Sequence, residues 1–200
     1  MKKNERRQQI IEAAIKVFAH KGFYNSKVAD VARRAGVADG TIYLHFKNKD
    51  DLLISLFEIK MEQFLLKFRT ALAQQPTSSK KLEEFIRLYF QLIQEDQDLA
   101  EVFQVELRQS SKFLKDYHNQ KFIDFLNIIG EVLKEGQFNG EFRKEIKINT
   151  MKIAIFGALD ELARQWILSD EPKFTLEETA HEMIHTFICG LLPSKTGESK

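Results

Sequence analysis

Two hundred residues with 44% hydrophobic content suffice for one sizeable core, or for a small domain beside a larger one. The single cysteine, Cys189, excludes an internal disulfide framework and fits a reducing compartment, so the cytosol is expected. No apolar run approaches the roughly 18 residues of a membrane span, and the opening MKKNERRQQ lacks the apolar centre of a secretory signal, so neither is expected.

Net charge is +1, but it is unevenly spread. Met1–Asp50 carries eleven Lys and Arg against five Asp and Glu, a balance of +6, and the remaining chain a balance of −5. A basic first quarter on an acidic body suits a protein with one end that meets phosphates.

In chain order, Ile10, Ile11, Ala14, Val17 and Phe18 predict a first helix closed by Gly22, behind a basic tail of Lys2, Lys3, Arg6 and Arg7. Val28, Val31, Ala32 and Ala35 give a second helix one apolar face, with Ser26 placed to cap its start. Gly36 ends it, because glycine takes the positive φ that reverses a chain, and Val37 plugs the corner. A short third helix, Asp39 to Phe46, turns Ile42 and Phe46 inward and leaves Gly40, Thr41, Tyr43, Leu44 and His45 outward. That face is small at its leading end and hydrogen-bonding in its middle, as a helix entering a major groove must be. Lys47 and Lys49 flank it at phosphate height, and Asn48 caps the next helix.

The run GFYNSKVADVARRAGVADGTIYLHFKNKDDLL, with its core at Gly40 to Lys49, resembles the DNA-binding domain of the TetR family of bacterial one-component regulators. The resemblance implies an all-α fold, a three-helix helix-turn-helix domain ahead of a larger helical domain for ligand binding and dimerisation. The expected division is 1–50 for DNA binding, 51–193 for ligand and dimer, and 194–200 as a polar tail. The DNA-binding residues are then Ser26, Lys27, Asp39, Gly40, Thr41, Tyr43, Leu44, His45, Lys47 and Lys49, with Gly40, Thr41 and Leu44 near base edges. Where many members carry Ser at the cap of the recognition helix, this chain has Ala38 and then Asp39, a carboxylate suited to a cytosine amino group.

Leu53, Leu56, Phe57, Met61, Phe64, Leu65 and Phe68 predict one long helix, Asp50 to Ala73, shared by both domains. After the break at Pro76–Ser79, helices are expected at Lys80 to Gln94, Leu99 to Gln109, Ser111 to Glu135, Asn149 to Leu168 and Thr175 to Leu192. The last opens on T-L-E-E, a capping box in which Glu178 reaches back to Thr175.

By resemblance to the family's regulatory domain, the final two helices pair with their symmetry mates to form a homodimer. Ile153, Phe156, Gly157, Leu159, Leu162, Ile184, Phe187, Ile188 and Leu191 supply that contact. Two charged segments in apolar surroundings, Val105 to Ser111 and Leu159 to Trp166, need partners. Pairing of Arg108 or Arg164 with Glu106, Asp160 or Glu161 satisfies them without a ligand.

VELRQS and FGALDELARQWILSD also resemble the branch of the family that represses fatty-acid-degradation genes in Gram-positive bacteria. That implies release from a palindromic double-stranded operator on binding long-chain acyl-CoA, with no cofactor. Phe103, Leu107 and Phe156 are then expected near the acyl tail, and Arg108, Lys112 and Arg164 near the thioester or phosphates. A repressor sensing a lipophilic drug or other small molecule is the alternative, since both share the sequence up to Ala73.

His181-Glu182-Met183-Ile184-His185 matches the H-E-x-x-H pattern of zinc peptidases. It lacks a further downstream ligand at the required offset, and the same helix needs Ile184, Phe187, Ile188 and Leu191 for packing. A metallopeptidase is therefore the remote alternative, and neither a metal nor an enzyme is expected.

Overall fold

The computed structural model of the chain describes residues 3–106 and 120–193. Their regular structure is helical: α1 Lys3–Lys21, α2 Val28–Ala35, α3 Asp39–Tyr43, α4 Lys49–Ala73, α5 Ser78–Glu95 and α6 Gln97–Glu101. A π-helical turn, Val102–Glu106, continues α6, and α7 Gln120–Phe138, α8 Ile148–Ile167 and α9 Leu176–Leu191 follow.

These elements form two compact units, Met1–Glu62 with Asp96–Asn119, and Gln63–Glu95 with Gln120–Lys200. The helix α6 lies in the first unit. Asp98 on α6 accepts from Lys16 of α1 at 2.7 Å and lies 3.6 Å from His20, while Phe103 packs on Phe57 with ring centres 5.2 Å apart. Over Leu99 to Glu106 the expected helix is present as α6 and the π turn that continues it, and Leu107 to Gln109 lie outside the described residues.

In the first unit, Ile10, Ile11, Ala14, Ile15 and Phe18 of α1 meet Val31, Ala32 and Ala35 of α2 and Leu52, Leu53 and Leu56 of α4, all buried. Spacings of three and four residues put these side chains on single helix faces, and their burial drives the assembly. Lys60 is buried among them and stays satisfied by Glu12 at 2.7 Å. Gly36 ends α2 at φ 63°, as the left-handed turn requires.

The second unit packs α5 on α7, α8 and α9, and α8 on α7 and α9. Its centre is aromatic. Phe68, Phe85 and Phe125 lie with ring centres 4.7 to 5.4 Å apart, and Phe125 continues to Phe156 at 6.1 Å. Such pairs add about 0.5–1.5 kcal/mol each beyond the area they bury. The α7–α8 connection is tied down by Gln137, whose amide donates to the carbonyls of Arg143 and Ile146 at 3.0 and 2.9 Å. Leu159 and Leu191, expected at a dimer contact, are buried inside this unit, because both fall on the side of their helices that faces their own neighbours.

Candidate nucleic-acid interface and effector body

The turn from α2 to α3 presents a short helix held from behind. Ile42 and Phe46 are 1% and 2% exposed, so α3 has one anchored face, and Arg7 of α1 stacks over Phe46 at 5.2 Å. On the opposite face Tyr43 and Leu44 are 57% and 78% exposed, Asp39 and Gly40 are exposed, and Thr41 and His45 are half-buried. Lys27 and Lys47 stand exposed on either side in the chain. The helix starts at Ala38 without a side-chain cap; only the Ala38 carbonyl accepts, from Thr41 at 2.8 Å. Thus Lys27, Asp39, Gly40, Thr41, Tyr43, Leu44, His45 and Lys47 all reach the surface of this unit.

Two expected members are instead engaged within the unit. Ser26 is buried, and its hydroxyl donates to the Phe23 carbonyl at 2.8 Å instead of capping α2. The cap work falls to Asp30, whose carboxylate accepts from the Lys27 amide at 3.0 Å and from Lys21 at 2.8 Å. The Lys21 hydrogen bond first, and the Lys27 amide second, hold the Asp30 carboxyl below its ordinary value. Lys49 is turned away as well. Its ammonium donates to the carbonyls of Phe23, Ser26 and Tyr24 at 2.6, 2.9 and 3.3 Å, over the Phe23 ring at 4.5 Å. Burial draws its pKa below the usual lysine value. Asn48 does cap α4, accepting from Asp51 N at 2.8 Å.

Of the residues expected near an effector, Leu107, Arg108 and Lys112 lie outside the described residues. Phe103 belongs to the first unit, against Phe57. Phe156 belongs to the second, half-buried between Phe122 at 5.1 Å and Tyr89 at 6.1 Å. Arg164 is held by Glu161 one turn away, at 2.5 and 2.9 Å, so the pairing that needs no ligand is present. That hydrogen bond raises the guanidinium pKa. Periodicity in the sequence could not separate Phe103 from Phe156, because the surroundings of each depend on which element arrives from elsewhere in the chain, whereas Arg164 finds its partner three residues away.

His181 and His185 are exposed, and His185 Nε2 lies 3.6 Å from Cys189 Sγ. Among the described residues no group of three or more His, Cys, Asp or Glu could hold a metal ion, and no helix is long and apolar enough to cross a membrane.

Fold and surface together define the class: an all-helical transcriptional regulator whose helix-turn-helix unit precedes a larger helical body. Residues 10–56 match the bacterial regulatory proteins of the tetR family, and residues 57–190 match the C-terminal region of YsiA-like proteins. The chain belongs to the TetR family and is a DNA-binding regulator, not an enzyme. It is 38% identical over 189 residues to the fatty acid metabolism regulator protein of Bacillus subtilis, covering 94% of this chain and 97% of that one. The crystal structure of FadR from Bacillus subtilis in complex with stearoyl-CoA matches with a TM-score of 0.86 at 38% identity, over 92% of this chain and 98% of that one. FadR from Bacillus halodurans, a fatty acid degradation regulator, gives 0.85 at 38% identity, again over 92% and 98%.

Proposed function

We propose that this chain is a homodimeric repressor of fatty-acid-degradation genes that holds a palindromic operator and lets go on binding long-chain acyl-CoA. The observation that carries the reading is its near full-length likeness, at 38% identity, to a regulator solved with stearoyl-CoA. The aromatic rings around Phe156 are the kind of apolar side chains that an acyl tail packs against.

On DNA, Gly40, Thr41 and Leu44 meet base edges, while Lys27, Tyr43, His45 and Lys47 position the helix on phosphates. A single short reading helix contacts few base pairs, so a twofold partner supplies the second half-site one DNA turn away. The exposed Ile153 and Gly157 of α8, with the half-buried Ile184, Phe187 and Ile188 of α9, form the partner face. An anionic effector competes with Glu161 for Arg164. Linkage then requires that the operator complex bind the effector less tightly by the factor with which the effector weakens operator binding.

Native mass spectrometry with stearoyl-CoA, stearate and unacylated coenzyme A tests the effector. A dimer that keeps the thioester but neither fragment, and that releases operator DNA in its presence, supports the reading. A dimer that keeps none of them moves the effector to a different small apolar molecule and leaves the DNA-binding part standing.

A further inference from the structure

We infer that Lys49 is a positioning residue that fastens the two ends of the helix-turn-helix to each other, and not a phosphate contact. The inference rests on the DNA-binding reading above. Lys49 is the first residue of α4, the next helix after the reading helix, and its acceptors Phe23, Tyr24 and Ser26 lie in the loop immediately before α2. The whole of α2 and α3 is therefore enclosed between the two fastened points.

An ammonium has three protons to donate, and the three carbonyls take them all. The Phe23 carbonyl receives the Ser26 hydroxyl as well as the ammonium, at 2.8 and 2.6 Å, which engages both of its lone pairs. Phe23 is itself 3% exposed and edge-on to Phe18 at 5.3 Å, so the loop end of the clasp is seated in the core of the unit. A lysine so held has no proton left for a phosphate oxygen. Freeing it to make one would leave the part-buried Phe23 and Ser26 carbonyls without their donor, at a desolvation cost to those groups. Lys47, two residues earlier and exposed, carries the phosphate role on this side of the reading helix.

Two measurements decide it. In the intact protein labelled at lysine Nζ, the Lys49 ammonium is expected to show couplings through hydrogen bonds to the Phe23 and Ser26 carbonyl carbons, unchanged when operator DNA is added. Loss of those couplings on DNA addition, with a shift of the Lys49 signal, would mean that the ammonium transfers to phosphate and would overturn the inference. In the second, Lys49→Met is expected to lower the melting temperature and to weaken binding to every sequence at least tenfold, with an unchanged slope of log affinity against log salt. Lys47→Ala is expected to flatten that slope by about one without altering the melt. A Lys49→Met protein that melts like the parent and loses the same slope as Lys47→Ala overturns the inference. Should Lys49→Met not fold, the couplings in the parent protein still decide. Should the parent bind no operator, the couplings and the melt judge the clasp while the DNA reading fails separately.

Discussion

The ring of Phe142 lies so close to Gly136 that a Cβ on that glycine would overlap three ring carbons. Phe142 N also donates to the Gly136 carbonyl at 3.0 Å, so the chain folds back onto α7 at its one side-chain-free position there. Phe142 is 2% exposed and has nowhere to retreat. Gly136→Ala gains about 1 kcal/mol in helix propensity but forces an overlap that costs about 1–3 kcal/mol, so net destabilisation is expected. In a Phe142→Ala background the same change is expected to be neutral or stabilising. Urea midpoints of the four proteins check this, and additive effects would contradict it.

Glu141 caps α5 from a distance. Its two carboxylate oxygens accept from the Ser78 and Ser79 amides at 3.0 Å each. Burial by itself raises the pKa of this group, but the amide hydrogen bonds of Ser79 and Ser78 outweigh it and hold the carboxyl below 4.5. A depressed carboxylate contributes stability that is present above its unfolded value and lost as pH falls through the folded one. Glu141→Gln is expected to cost about 0.5–1.5 kcal/mol at neutral pH. Its melting curve should converge on that of the parent as pH drops below the carboxylate range, and a deficit that persists in acid would speak against the cap.

The exposed face of α3 divides by role. Tyr43→Ala is expected to weaken binding to all DNA sequences, and Thr41→Ala to change which base pairs are preferred. Affinity measured against a panel of half-site variants separates the two. Unchanged operator affinity in Tyr43→Ala would remove this face from the interface.

The start of α3 lacks a side-chain acceptor, since Ala38 occupies the cap position. Ala38→Ser supplies a hydroxyl and is expected to stabilise the protein by about 0.5–1 kcal/mol, read from thermal melts.

Asp39, the next residue, is exposed at the leading end of the reading helix. Asp39→Ser is expected to shift operator preference away from sites with cytosine at the position it meets. An unaltered preference profile would end the case for base contact by Asp39.

Much of the architecture follows from short-range pattern. Val31, Ala32 and Ala35, and Ile42 with Phe46, are spaced so that one helix face must be covered, and each is buried. Gly36 and the Thr175–Glu178 box are equally local: the glycine takes its positive φ, and Glu178 accepts from Thr175 N at 3.2 Å while Thr175 Oγ1 accepts from Glu178 N at 3.1 Å. These depend on neighbours within one turn, which a linear sequence displays.

What the tertiary structure alone decided are the meetings between distant residues. Apolar periodicity says that Leu159 and Leu191 will be covered, but not that their own unit does the covering. A lysine six residues past the reading helix looks ready for phosphate, until the loop carbonyls 23 to 26 residues earlier take its protons. Likewise Asp98 finds Lys16 across 82 residues, and Glu141 finds Ser78 across 63. The physical reason is that apolar faces must be covered and polar groups taken out of water must be satisfied, but which partner does either depends on which segments pack together.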